Sequence, residues 1–201
     1  MSVVTGFLLG NGQNATTDTL TGTIPATAQA GDVVIVAAQS TESTPTFTIP
    51  SGWTVFRGPV DVTGVSTAYW YGRAGVAGTS STPGAPGSSF SIVSSETRRM
   101  NGAGVLLRGS VLTGIYAEYL VDSVSTSTAT IPTVTGVPAG SDVVAFTLLR
   151  RGATTPTDIT AWPADWTLQA ESKTAYGSIP NLTTGAFHRA TAADGTNGGG
   201  T

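Results

Sequence analysis

The chain has 201 residues, of which 10% are charged, and its formal net charge is −3. A typical globular protein carries about 25% charged residues, and this chain lacks the clustered basic face that nucleic-acid binding requires. With no cysteine and no run near the roughly 20 apolar residues of a membrane helix, we expect no disulfide framework, thiolate zinc site or membrane partner.

Short runs rich in Val, Ile, Thr, Tyr, Phe and Trp follow one another, separated by Gly, Pro, Ser and Thr. Apolar residues do not recur at helical spacing, so the pattern predicts an all-β sandwich or barrel. Because Val33–Ala38 is apolar throughout, we expect a central strand covered on both faces. The strands predicted in the first copy are Val3–Leu9, Thr17–Ile24, Val33–Ala38, Trp53–Phe56, Ser66–Ala74, Phe90–Val93 and Ala103–Leu107. The short run Thr46–Ile49 ends at Pro50, which predicts an edge strand or a loop segment.

The order of these signals returns in the second half of the chain. The run AGDVVIVAA at Ala30–Ala38 returns as GSDVVAFTL at Gly140–Leu148, and Trp53 returns as Trp166. Self-similarity at a long period indicates a repeated structural unit. The strands predicted in the second half are Ile115–Val121, Ser125–Ile131, Val143–Leu149, Trp166–Leu168 and Gly185–Ala190.

The repeat therefore predicts two tandem jelly-roll-like antiparallel β-sandwiches, in residues 1–112 and 113–201. The second copy ends in the Gly-rich tail Asp194–Thr201 and has no counterpart of Phe90–Val93 or Ala103–Leu107. A sandwich without its closing strands has open edges and an uncovered core face. Three explanations stay open: a longer protein, strands donated by a neighbouring chain through β-augmentation, or a reduced second sheet.

Few residues suggest a catalytic or metal-binding site. The only histidine is His188, and we align it with Gly72, beside a shared aromatic position, which predicts that it points outward on the surface. Asp32 and Asp142 occupy equivalent turns, where each carboxylate is expected to accept backbone hydrogen bonds; calcium binding is the alternative. We expect no catalytic residue, cofactor or metal site, and no enzymatic activity.

The aromatic residues divide into two groups. Trp53 and Trp166 occupy the same place in both copies, as do Tyr71 and Phe187, and this predicts that all four belong to the core. Trp70 has no aromatic counterpart and alternates with Tyr71 along the strand. It is therefore the predicted exposed contact, either for a protein partner or for a glycan. Packing under a loop is the alternative.

Three short motifs occur in a fixed order in both copies. The first copy has Gly31–Val34, Pro50–Thr54 and Tyr69–Ala74, and the second has Ser141–Val144, Pro163–Thr167 and Phe187–Ala190. This set resembles a β-sandwich domain found in minor tail and other virion proteins of tailed bacteriophages, especially those infecting actinobacteria. In the second set, Asp165 replaces the Gly before the Trp.

The resemblance implies a non-enzymatic virion structural protein, a minor tail protein with a host-attachment role, assembled in the bacterial cytoplasm. Its expected partners are other virion proteins, copies of itself and a host cell-surface glycan. A capsid decoration or head-fibre protein is one alternative, and a carbohydrate-binding module is another. Fold alone does not choose among these roles.

Overall fold

The structure is a computed structural model that describes residues 4–9, 17–29, 32–40, 46–48, 50–51, 53–55, 70–75, 85–98, 100–108, 140–151, 158–173 and 181–190. These residues form eleven strands and no helix, so the all-β prediction is confirmed. The strands are β1 (Val4–Leu9), β2 (Thr17–Thr23), β3 (Val33–Ser40), β4 (Phe47–Thr48), β5 (Thr54–Val55), β6 (Trp70–Gly75), β7 (Ser89–Arg98), β8 (Met100–Leu107), β9 (Asp142–Arg151), β10 (Thr167–Lys173) and β11 (Asn181–Ala190).

The first eight strands form one antiparallel sheet in the order β4-β7-β2-β1-β8-β3-β6-β5. Six of them are long, and the two end strands, β4 and β5, have two residues each. Strand β3 lies between β8 and β6, and all eight of its residues are buried. The continuous apolar run therefore forms a central strand, as predicted, because both faces of the sheet are covered at this point.

The first sheet is rolled, so that its two ends meet. Strands β7 and β5 are six positions apart in the sheet, which would separate them by about 29 Å if the sheet were flat. Instead, the ring of Trp53, next to β5, lies 4.7 Å from the ring of Phe90 on β7. The inside of the roll is one apolar core, formed by Leu9, Leu20, Ile24, Ala28, Val34, Val36, Ala38, Trp53, Phe90, Ile92, Met100 and Leu106.

The second sheet has three antiparallel strands in the order β10-β11-β9. This order repeats β5-β6-β3 of the first sheet, strand for strand. The turns before β5 and β10 are equivalent as well, since the Trp53 amide donates to the Pro50 carbonyl (3.3 Å) and the Trp166 amide donates to the Pro163 carbonyl (2.9 Å). The second half of the chain thus reproduces one side of the first sheet.

The second sheet packs on the outside of the roll, over β1, β3 and β8. Val34 of β3 faces the inside of the roll, whereas its counterpart Val144 faces the first sheet. In the described part of the chain, the first copy therefore covers the face of the second sheet that corresponds to the inside of the roll. The apolar layer between the sheets consists of Val4, Val33, Ile35, Ala103, Val105 and Leu107 from the first sheet and Val144, Phe146, Ala170 and Ala186 from the second.

Several predicted features lie outside the described residues. They are the strands Ile115–Val121 and Ser125–Ile131 and the tail Asp194–Thr201. The division of the chain into residues 1–112 and 113–201 stays a prediction. Within the described part, the two halves meet in one stacked, sandwich-like arrangement.

At Gly6 the two sheets approach each other closely. A Cβ atom at this position of β1 would lie against the Gln169 carbonyl, far inside van der Waals contact. We expect Gly6→Ala to lower the free energy of unfolding by about 1–3 kcal/mol, the usual cost of overpacking, because the backbone of a strand cannot move aside locally. Denaturant unfolding measures the loss. The neighbouring variant Leu8→Ala, at an exposed position, should change stability little; an equal loss in both would contradict this role of Gly6.

Candidate functional site

A group of polar side chains lies buried at one end of the apolar layer between the sheets. We call it the interface cluster. Burying polar groups costs free energy unless they are hydrogen-bonded, so their partners show what the cluster does. The members are Gln39 of β3, Asn101 of β8, Ser172 of β10, and Thr183 and Thr184 of β11.

The interface cluster is a chain of hydrogen bonds between the sheets. Gln39 Nε2 donates to the Thr183 carbonyl (2.9 Å) and to Thr184 Oγ1 (2.7 Å). The Thr184 hydroxyl donates to Asn101 Oδ1 (2.8 Å), and Asn101 Nδ2 donates to the Ser172 carbonyl (3.0 Å). Each sheet therefore satisfies polar groups of the other, and a shift of one sheet would leave several of them unpaired.

The strand register brings the cluster together. Gln39 and Asn101 lie directly opposite each other in the β3–β8 ladder, on the face that carries Ile35 and Ala103. The predicted strands ended at Ala38 and began at Ala103, so both residues fell just outside them. Both polar residues continue the series of inward-facing positions of a buried strand, and this alternation could have indicated that they are buried. The sequence alone does not show which strand lies opposite.

Removing one hydroxyl tests the cluster. We expect Thr184→Val, which keeps the side-chain shape, to lower the free energy of unfolding by about 1–3 kcal/mol, because it leaves the buried Asn101 Oδ1 without its donor. Thr167→Val, at an exposed position of β10, is the matched control and should cost much less. Equal urea midpoints for the two variants would show that the hydroxyl does not stabilise the interface.

A second polar group closes the turn before β3. The carboxylate of Asp32, 2% exposed, accepts from the Gln29 amide (2.8 Å), as the sequence predicts. Arg108, directly after β8, donates through Nε (3.3 Å) and Nη2 (3.2 Å) to the two oxygens of Asp32, and its Nη2 also donates to the Thr27 carbonyl (2.6 Å). Because both carboxylate oxygens of Asp32 accept hydrogen bonds from these donors, the arrangement favours a structural role over the calcium alternative.

His188 lies on the face of β11 that is turned toward the first sheet. It shares this face with Ala186, and its side chain is only 15% exposed. Its Nε2 is 2.8 Å from Asp142 Oδ1 at the start of β9. The prediction of an outward surface histidine is wrong, because the ladder pairs His188 with Val144 as it pairs Ala74 with Val34. His188 therefore corresponds to Ala74 rather than to Gly72.

The two equivalent aspartates, Asp32 and Asp142, have different basic partners. Asp32 pairs with an arginine, which is always charged, whereas Asp142 pairs with a histidine, which is charged only when protonated. In both copies a basic side chain pairs with the carboxylate at the start of the equivalent strands β3 and β9. The partner directly follows β8 in one copy and lies on β11 in the other, and the spacing along the chain predicted neither.

A third charged group lies on the opposite face of the second sheet. Lys173 forms ion pairs with Asp158 and with Glu171 (2.9 Å to Oε2). Its hydrogen bonds to these carboxylates, first to Asp158 and then to Glu171, raise the pKa of Lys173 above its ordinary value. Glu171 Oε1 also accepts from the Ile159 amide (2.7 Å). This group ties the segment before β10 to the strand itself.

The predicted aromatic positions are only partly described. Trp53 is 7% exposed in the core of the roll, and Trp166 is buried as well. The backbone of Trp70, Tyr71 and Phe187 lies in β6 and β11. Their side chains fall outside the described part of the structure, so the contact role of Trp70 and the core role of Tyr71 and Phe187 stay predictions.

The polar groups described above hold strands and turns in place, and their geometry is that of structural contacts. Among the described residues, no group of three or more His, Cys, Asp or Glu side chains could hold a metal ion. Nor does the described part of the chain include a helix of the length and apolarity needed to cross a membrane.

Comparison with known proteins identifies no relative. No family model, no curated protein and no solved structure matches this chain.

Proposed function

We propose that this protein is a non-enzymatic structural protein of a bacteriophage virion, assembled in the host cytoplasm and mounted on the tail as a minor tail protein. The observation that carries the proposal is the joint packing of the two repeat halves through an apolar layer and the interface cluster. Separating them would expose apolar surface and unpair buried polar groups at once. A unit of this kind suits a particle component that must keep its shape.

The motifs behind the resemblance also support a structural role. Pro50 and Pro163 accept the amides of Trp53 and Trp166 in the same turn of each copy, and both tryptophans are buried. The P-x-x-W motif therefore acts through folding rather than through contact with a substrate. Function does not follow from fold, so the setting must be tested on particles.

The test is to locate the chain in purified phage particles. Mass spectrometry of particles should detect it at a fixed ratio to the major tail protein, and cryo-electron microscopy should show its stacked sheets on the tail. Density on the head would favour the capsid decoration or head-fibre alternative. Absence of the chain from particles whose other structural proteins are all detected would overturn the proposal.

A carbohydrate-binding role in host attachment is the second candidate, and it rests on the contact predicted for Trp70. The backbone of Trp70 lies at the start of β6, at a position that the described part of β5 does not pair with. The indole of an exposed tryptophan is a stacking platform for sugars. Host cell-wall glycans should change the tryptophan fluorescence of the protein, and Trp70→Ala should abolish the change. No response of the unaltered protein would reject this candidate.

A further inference from the structure

The interface cluster contains a chemically reactive dipeptide. In an Asn-Gly sequence, the glycine nitrogen can attack the side-chain carbonyl carbon of the asparagine, because glycine has no side chain that hinders the approach. Asparagine is accordingly one of the thermolabile residues of proteins. Asn101 and Gly102 form this dipeptide on β8, and both are buried. A reactive sequence therefore lies where the two sheets meet.

Packing fixes both members of the dipeptide. The side chain of Asn101 is held at both ends, since Oδ1 accepts from the Thr184 hydroxyl (2.8 Å) and Nδ2 donates to the Ser172 carbonyl (3.0 Å). A Cβ atom on Gly102 would lie 2.6 Å from the Ala37 carbonyl oxygen, closer than a real Cβ atom approaches its neighbours. A bulkier residue at position 102, which would slow the attack, does not fit there.

The folded geometry opposes the reaction. Ring closure requires the Gly102 nitrogen to reach Asn101 Cγ, so the backbone must rotate and the side-chain amide must leave its partners. At this point β8 is paired on both sides, because Gly102 lies opposite Leu9 of β1 and opposite Ala38 of β3. The amide of Asn101 is bonded to two residues of the second sheet. The reaction therefore requires a state in which the interface is open.

We propose that Asn101 is a deamidation site that the interface cluster protects, and that its conversion makes separation of the two sheets irreversible. In the open state, the Gly102 nitrogen gives up its proton and forms a bond to Asn101 Cγ, and the side-chain nitrogen leaves as ammonia with that proton. Water then opens the resulting succinimide at either carbonyl, which yields aspartate or isoaspartate. Water is the only co-reactant. The inference goes beyond the proposed function and does not depend on it.

Neither product fits the closed interface. Aspartate has no N–H group to donate to the Ser172 carbonyl, and it places a negative charge where a neutral amide was buried, which costs free energy. Isoaspartate adds a methylene group to the main chain and so displaces the register of β8 against β1 and β3, on which the inward and outward positions of a strand depend. A converted chain therefore does not dock its sheets again.

Peptide mapping of the full-length protein measures the conversion. Trypsin releases residues 100–108, MNGAGVLLR, in which Asn101 is the only asparagine, and mass spectrometry separates the amide from the heavier acid. In mildly alkaline guanidinium chloride, Asn101 should convert as fast as Asn197, which also precedes a glycine. In buffer of the same pH, Asn101 should convert at least about a hundredfold more slowly, because only open molecules react.

Two results of this comparison would contradict the proposal. Equal rates for Asn101 in buffer and in denaturant would show that the interface does not protect it. No conversion in denaturant would show that the dipeptide is not a reactive site.

Thr184→Val tests whether the interface cluster provides the protection. Just below its thermal transition, in buffer, this variant should convert Asn101 about tenfold faster than the unaltered protein at the same temperature, because one bond that keeps the interface closed is missing. Thr167→Val, at an exposed position of β10, should leave the rate unchanged. Circular dichroism checks that both variants are folded. Equal rates in all three proteins would reject the role of the cluster.

Refolding tests the irreversibility. The protein is held in denaturant until about half of Asn101 has converted, then returned to buffer and separated by size exclusion. The native fraction should contain unconverted Asn101, and the converted chains should be in the non-native fraction. Asn101→Asp, which reproduces one product, should have a lower urea midpoint than the unaltered protein. Converted chains distributed evenly between the fractions would overturn the irreversibility.

Discussion

Replacing Trp53 with alanine is expected to lower the free energy of unfolding by about 3–5 kcal/mol, the usual cost of truncating a buried aromatic side chain. The indole is 7% exposed and packs on Phe90 with ring centroids 4.7 Å apart. Because Trp53 and Phe90 lie near opposite ends of the first sheet, the cavity left by the missing indole would lie where the two ends of the sheet meet. Urea unfolding followed by circular dichroism avoids the loss of fluorescence that accompanies removal of a tryptophan.

Trp162 provides the matched control, since it is the same residue type and 39% exposed. Trp162→Ala should cost about 1 kcal/mol or less, because the side chain already contacts water in the folded state. A Trp53→Ala variant with the urea midpoint of Trp162→Ala would show that the roll does not depend on the indole.

Replacing Asp32 with alanine is the second change with a large expected effect, a loss of about 3 kcal/mol. This is the lower end of the range for breaking a buried ion pair, because the Arg108 side chain is 31% exposed and can recover some hydration. The Gln29 amide loses its acceptor at the same time. Thermal and urea unfolding measure the loss, and Asp32→Asn should lose less because its amide oxygen still accepts.

Asp18 is the control for this change, because its carboxylate is exposed on β2 and accepts only a local bond from the Thr19 hydroxyl (2.9 Å). Asp18→Ala should stay within about 0.5 kcal/mol of the unaltered protein. Equal stabilities of Asp32→Ala and Asp18→Ala would contradict the role assigned to the Asp32–Arg108 pair.

Most strands were predicted from local patterns, and their errors have a common cause. β3 was recognised from its apolar run, but the prediction ended at Ala38, whereas the strand continues through Gln39 and Ser40. The predicted Trp166–Leu168 is the start of β10, which continues to Lys173 with an irregularity after Leu168. Polar residues extend these strands because the neighbouring strand satisfies their backbone groups, and one sequence does not identify that neighbour.

The candidate site was less predictable than the fold. Asp32 was expected to accept a backbone amide and does so, because a turn is a local feature. Arg108 lies 76 residues away along the chain, and no local pattern connects it to Asp32. The error at His188 arose from aligning the repeats by residue type, whereas the ladder pairs it two residues further along the strand.

By itself, the sequence determined the strand-forming character of the chain, the repeat and the turns before Trp53 and Trp166. These depend on alternation, on Pro and Gly, and on residue type, all of which act over a few positions. Only the tertiary structure decided that the second sheet covers the outside of the first and that Gln39, Asn101 and Thr184 meet between them. Sheet stacking depends on which apolar faces contact each other. The alternation along a strand is the same whichever sheet covers it, so it does not identify that sheet.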